Sequence, residues 1–203
     1  SVPLATRPGA AIRVLLLAGA PDPELKYLRR WAVDAGLHLE SHITLSDGVS
    51  LTDGALDLDT EIFDELDLVI LDQRVWLTLD TEQKQHLREA LDGGLGVLLR
   101  VTGDVPETVL GEWAALGFPL RPIEPVGVVS LNRLLGLDAN APDLSVRAID
   151  AQTNMATELW RADDGTPLAW MRLHGQGRIA LWRLTDSYRL TLTGHPAAYG
   201  SLW

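Results

Sequence analysis

At 203 residues, 46% of them hydrophobic and 22% charged, the chain is long and apolar enough to bury one substantial core without disulfides or metals. A formal net charge of −11 argues against sequence-independent binding to nucleic acid or to anionic membranes, both of which draw on a basic surface. The absence of cysteine excludes disulfides, thiolate metal sites and thiol nucleophiles together.

Residues 1–11, rich in Pro and Ala, read as a lead-in. The chain starts at Ser1 without an initiator Met and shows no signal peptide, as expected of a segment of a longer protein or a processed form. No run reaches the length of a membrane span, so no direct membrane insertion is expected within this segment. From Arg13 to Gly19 the sequence is an apolar run, the pattern of a strand buried on both faces of a parallel sheet. Asp22 as N-cap, Pro23 at the first helical position, Glu24 at the positive end of the dipole and Leu25, Leu28, Ala32 and Ala35 at helical spacing then define a helix closed by Gly36.

Leu37 to Leu45 alternates as a second strand, and residues 46–60, rich in Asp, Gly, Ser and Thr, read as a long exposed loop. A short helix near Glu61–Leu66 leads to a third buried strand, Asp67 to Asp72. Asp80 and Gln83 open a helix in capping-box fashion; it runs to about Asp92 and stops at Gly93-Gly94. Leu95 to Val101 is a fourth strand, turned by Thr102-Gly103-Asp104, and a further helix through Leu110 and Trp113 ends at Gly117. This alternation implies a parallel sheet with helices on both faces.

Pro119, Pro122 and Pro125 interrupt the alternation. Beyond them Asp164-Gly165 and Gly175-Gln176-Gly177 mark turns, so Glu158–Arg161, Leu168–Leu173 and Arg178–Leu184 read as an antiparallel extension. The expected organisation is one α/β domain over 12–203, with a parallel core at 12–117 and the linker, extension and closing strand at 118–203.

The order of elements over roughly residues 12–190 resembles the class I glutamine amidotransferase-like fold, a flavodoxin-like relative. The resemblance implies a three-layer sheet whose fourth strand ends in a nucleophile elbow bearing Cys and whose late strand ends in His followed closely by Glu. Here Gly93 to Gly103 takes the place of the elbow strand, with Thr102 about where the Cys belongs. Thr185-Asp186-Ser187 follows Gly177–Leu184 where His and Glu belong. Without those groups glutamine hydrolysis has neither nucleophile nor base, so no catalytic residue is expected. A narrower resemblance lies in Pro23 to Trp31, Asp67 to Asp72 and Leu184 to Leu190, which look like the amidotransferase-like domain of large bacterial membrane proteins. It implies an extracytoplasmic, periplasmic setting beside transmembrane segments.

Open α/β sheets bind ligands at the carboxyl ends of their strands. The candidates there are Asp72, Arg74, Thr102, Asp104 and Asp186, with Gly19, Ala20, Gln73, Gly103 and Ser187 nearby. The plainer alternative is that these Asp and Thr groups cap helices and close turns. A second candidate is an interaction surface of Trp160, Trp170, Arg172 and Trp182, since Trp and Arg dominate interface hot spots. Its alternative is that the Trp side chains pack in the core and Arg pairs with carboxylates.

His38 and His42 share a strand face but lack a third ligand, and no zinc spacing occurs. Gly93-Gly94-Leu95-Gly96 precedes a strand instead of following one, so it is a helix stop and not a phosphate loop. The four aspartates from Asp47 to Asp59 lack calcium-loop spacing. No metal and no cofactor are expected. The expected role is a non-catalytic interaction or ligand-sensing module, whose partners are other domains of the same protein or a separate protein. A hydrolase using strand-end Asp or Thr, and a purely structural scaffold, are the alternatives.

Overall fold

A computed structural model describes residues 11–46, 49–51, 58, 60–124, 127–153 and 155–203. Most of the expected lead-in and all four aspartates of the Asp47–Asp59 stretch lie outside the described residues. In chain order the first half contains β1 (Arg13–Ala18), α1 (Pro23–Asp34), β2 (His38–Ser46), β3 (Val49–Leu51), α2 (Thr60–Asp64), β4 (Leu68–Asp72), α3 (Gln73–Thr78), α4 (Thr81–Gly93), β5 (Gly96–Arg100) and α5 (Glu107–Ala115). The second half contains β6 (Leu120–Pro122), β7 (Val128–Val129), α6 (Asn132–Leu135), β8 (Leu144–Ser145), β9 (Ile149–Ala151), β10 (Thr157–Arg161), β11 (Pro167–His174), β12 (Gly177–Trp182), α7 (Arg189–Leu192) and α8 (Pro196–Leu202).

The period of two along a strand decides how the sheet is buried. In β1, Leu15 and Leu17 enter one core cluster while Val14, Leu16 and Ala18 enter another on the opposite face, and all five are buried. In β4 and β5, Val69, Leu71, Val97 and Leu99 repeat the first face, and Ile70 with Leu98 the second. A strand covered on both sides has no position where a polar side chain reaches water, which is why β4 and β5 carry none until their last residue and β1 only Arg13 at its exposed start. The first face is covered by Phe63 of α2, Trp76 of α3, Leu87 and Leu91 of α4, and Val109 and Trp113 of α5. The second is covered by Leu25 and Leu28 of α1, with Leu190 of α7 and Ala198, Tyr199 and Leu202 of α8.

The strands order as β10–β11–β12–β5–β4–β1–β2–β3. β12, β5, β4, β1 and β2 are mutually parallel, and β10, β11 and β3 join antiparallel at the two edges. The molecule is thus a three-layer α/β fold with a mostly parallel central sheet. Two small antiparallel pairs, β6 with β9 and β7 with β8, sit beside it. No helix among the described residues is long and apolar enough to cross a membrane.

Several boundaries differ from the sequence-based expectation. β12 belongs to the parallel core through β5 and is antiparallel only to β11, so the antiparallel extension is β10 and β11 alone on that side. The expected loop 46–60 contains β3. Asp72 does not merely end a strand: it caps α3, a six-residue helix that the sequence reading passed over. His195-Pro196, expected in a terminal loop, opens α8, with Pro196 at its first turn. Asp80 and Gln83 do form the reciprocal capping box.

Candidate functional site

The carboxyl ends of β1, β4 and β5 open into a cleft of about 210 Å³. Ala18, Ala20, Pro21, Asp22 and Pro23 line it from the β1–α1 connection, Asp72 and Arg74 from the start of α3, Arg100 and Thr102 from the end of β5, and Arg147 and Thr185 from the last third. Of the ligand candidates read from sequence, the cleft therefore gathers Asp72, Arg74 and Thr102. Asp104 is exposed and Asp186 is turned to other work; neither lines the cleft. Asp186 accepts from the amide of Ser145 at 2.6 Å and its hydroxyl at 2.9 Å, and pairs with Arg189 at 3.3 Å, so it ties β8 to the closing loop.

Asp72 is 4% exposed, and its carboxylate is already occupied. It accepts from the amides of Arg74 and Val75, both at 2.9 Å, and of Gly19 at 3.1 Å. One side chain thereby caps α3 and fixes the end of β1 against it. Gly19 permits that approach, since a Cβ there would lie 2.3 Å from the Arg74 Cβ.

Arg100 was missed by the sequence reading, and it is the floor of the cleft. It is 2% exposed, donates from Nη2 to Asp22 Oδ2 at 3.0 Å, and lies 6.0 Å from the Trp203 ring centroid. Its Nε is buried without a hydrogen-bond acceptor among the described residues. Asp22 also accepts from the Glu24 amide at 2.9 Å as the α1 N-cap. Arg147, also missed, donates from its guanidinium to the Thr102 carbonyl.

Thr102 occupies the position that the resemblance assigns to a nucleophile, but its surroundings are those of a fixed loop. Its amide donates to Gln73 Oε1 at 3.0 Å and its hydroxyl lies 3.3 Å from the same oxygen. Residues 101–106 separate β5 from α5, and no non-glycine residue among those described has a positive φ. A nucleophile elbow needs a sharp, strained strand-to-helix turn, and this connection has none.

Behind Arg100 lies a buried polar chain that the sequence pattern did not disclose. Glu24, 1% exposed, accepts from Ser187 Oγ at 2.8 Å and the Tyr188 amide at 3.1 Å, and Ser187 Oγ accepts from Trp203 Nε1 at 3.0 Å. Burial pushes the Glu24 carboxyl above its ordinary value, against the opposing pull of Ser187, Arg100, Tyr199 and the Tyr188 amide. Burial and the adjacent Glu24 carboxylate push the Tyr199 phenol far upward as well.

The expected Trp–Arg surface is divided by the sheet. Trp170 is 3% exposed and packs in the core on one face, where Arg172 donates to the Leu116 carbonyl; Trp182 is 4% exposed and packs on the opposite face with half-buried Trp160. Alternation in β11 and β12 sends these side chains apart, and burial removes Trp170 and Trp182 from the surface. What the second face does present is an apolar groove of about 400 Å³, walled by Val14, Leu39, Leu68, Leu159, Trp160 and Trp182 among others. His42 pairs with Glu40 at 3.0 Å and His174 with Asp92 at 3.6 Å. Among the described residues no group of three or more His, Cys, Asp or Glu converges to hold a metal.

No known family profile matches the chain, and no curated protein matches it either. Solved structures do. The protein STM1381 from Salmonella typhimurium LT2 superposes with a TM-score of 0.59 at 11% identity, over 94% of this chain and 98% of that one. The exo-β-1,4-mannosidase Op5Man5 from Opitutaceae bacterium strain TAV5 gives 0.56 at 12% identity over 95% of this chain, which spans only 35% of the mannosidase. PurLQS from Thermotoga maritima gives 0.51 at 11% identity, over 95% and 97%. Identities this low speak for architecture alone, and the architecture in common is a three-layer α/β fold around a mostly parallel central sheet.

Proposed function

We propose that the domain is a catalytically silent member of this architecture, which binds a ligand in its strand-end cleft as a sensing or interaction module of a larger, membrane-associated bacterial protein. The observation that carries the reading is the end of β5. Thr102 sits there on an unstrained connection with its hydroxyl and amide held by Gln73, and the chain contains no cysteine. A hydrolase would need a cleft carboxylate free to act as base. Asp72 is bound by three amides and Asp22 by Arg100 and an amide, so neither supports that alternative.

Glutaminase assay of the purified domain, read as ammonia release, is expected to show no turnover above buffer. Turnover that disappears in Thr102→Val would overturn the proposal. The extracytoplasmic setting is a separate proposal, supported by the resemblance to domains of bacterial membrane proteins. In spheroplasts of the native host, added protease is expected to degrade the domain, whereas protection until lysis argues for a cytoplasmic location.

The apolar groove favours a second reading, docking of the domain on a neighbour in the full-length protein. Leu159, 39% exposed in the groove, is the position to test. Leu159→Asp is expected to loosen the domain and speed limited proteolysis of its flanking linkers, and unchanged cleavage counts against docking.

A further inference from the structure

Resting on the reading of the strand-end cleft as a ligand site, we infer that its ligand is a small oxyanion, a phosphate or carboxylate group held by Arg74, Arg100 and Arg147. All three arginines line the cleft, together with two acidic residues, Asp22 and Asp72. Those carboxylates are the less available charges. Asp72 accepts from three backbone amides, and Asp22 accepts from the Glu24 amide and Arg100. Arg74 makes no ion pair among the described residues. Arg147 is engaged by a carbonyl and not by a carboxylate. Arg100 is 2% exposed and retains a buried Nε without an acceptor. In a chain of net charge −11, three arginines against two carboxylates make a local excess of positive charge in this cleft.

The remaining groups select against neutral ligands. Thr102 Oγ1 lies within hydrogen-bond distance of Gln73 Oε1, and Thr185 Oγ1 of the Ser145 carbonyl, so both hydroxyl protons have protein acceptors. Among the described residues no aromatic ring lines the cleft, so they offer no platform for stacking a sugar or a base. Its volume of about 210 Å³ is below the roughly 300–1,000 Å³ of clefts that take drug-sized ligands. Planar guanidiniums match the paired oxygens of carboxylate and phosphate, and a compact oxyanion fits both the volume and the charge.

Calorimetric titration of the purified chain in Tris-HCl at constant ionic strength tests this, with inorganic phosphate and succinate as anionic probes and glucose and adenosine as neutral ones. Saturable binding of phosphate or succinate is expected, and the tighter of the two assigns the tetrahedral or planar group. Arg74→Gln and Arg147→Gln alter exposed side chains and are expected to keep the fold, checked by circular dichroism, while each weakens the anion about tenfold. Oxyanion binding unaffected by both substitutions overturns the assignment. Saturable binding of glucose or adenosine alone, weakened by Thr102→Val, overturns the oxyanion while leaving the cleft reading intact. Failure of every probe to bind overturns both.

Discussion

Arg100 and Glu24 are ionisable groups almost wholly buried, and each is tolerable only through its neighbours. Arg100 pairs with Asp22, while Glu24 is met by one hydroxyl and one amide. Hydrogen bonds of that kind hold a carboxylate's lone pairs but do not restore its full hydration, so burial dominates and the Glu24 carboxyl holds its proton more tightly folded than unfolded. The linkage then has a definite sign. Below the ordinary carboxyl value of 4.5 both states are protonated and Glu24 adds no slope. As pH rises from there, the unfolded chain releases the proton first, so stability falls until the folded carboxyl has ionised too. Carboxyls held low in the fold, such as Asp163 with its two amide donors and the Ser130 hydroxyl, contribute the opposite slope. Comparison with Glu24→Gln isolates the one group. The variant is expected to lose less melting temperature than the parent between pH 4.5 and pH 8, and parallel curves would show that Glu24 is not ionising against its surroundings.

At the scale of elements, the cleft depends on α3, a helix of six residues that is too short to be stable by propensity. It is held by Asp72 at its start and by Trp76, which is buried edge-on against Trp113 at 6.2 Å. Asp72→Ala leaves three amides without their acceptor and is expected to cost about 2–4 kcal/mol, as loss of a cap and of buried charge-assisted hydrogen bonds together. Asp72→Asn keeps one accepting oxygen and is expected to recover about half of that. Urea midpoints measure both, and an Ala variant within about 0.5 kcal/mol of the parent would show that Trp76 alone secures the helix. The same element shows where the sequence was legible and where it was not. β1 and α1 were readable because an unbroken apolar run and a capped periodic stretch are local patterns. Six residues cover less than two helical turns, so Gln73–Thr78 carried no period to detect. The pairing of β12 with β5 joins residues some eighty positions apart, and nothing local distinguishes a parallel closing strand from a third hairpin strand. Among the residues that line the cleft, Asp72, Arg74 and Thr102 follow from the strand-end rule. Arg147 was out of reach, since it arrives from a stretch between β8 and β9 through tertiary structure alone. Arg100 was not: an arginine closing Val97-Leu98-Leu99 is a charge in a buried run, and that is a signal in itself.

Over the whole molecule, the first helix and the last meet behind the cleft. Glu24 of α1 binds Ser187, 163 positions away, and Ser187 binds Trp203, which follows α8. Trp203 also packs at a tilt on Trp182 of β12, ring centroids 4.8 Å apart, and lies 6.0 Å from the Arg100 guanidinium carbon. One side chain thus touches the second core cluster, the buried polar chain and the floor of the site. On the sheet face it covers, Trp203 also lines the apolar groove, together with Leu159 and Trp160 of β10 and Trp182 of β12. Trp203→Ala is expected to cost about 2–3 kcal/mol, through lost packing and the lost indole hydrogen bond to Ser187 Oγ. Trp203→Phe keeps a ring against Trp182 and is expected to cost about 1 kcal/mol. The two also separate packing from positioning. If Trp203 fixes the Arg100 guanidinium, the Ala variant weakens phosphate binding more than the Phe variant does, under conditions where both remain folded. Equal affinities in the two would mean that Asp22 alone sets the arginine, and that the C-terminal helix stabilises the fold without reaching the cleft.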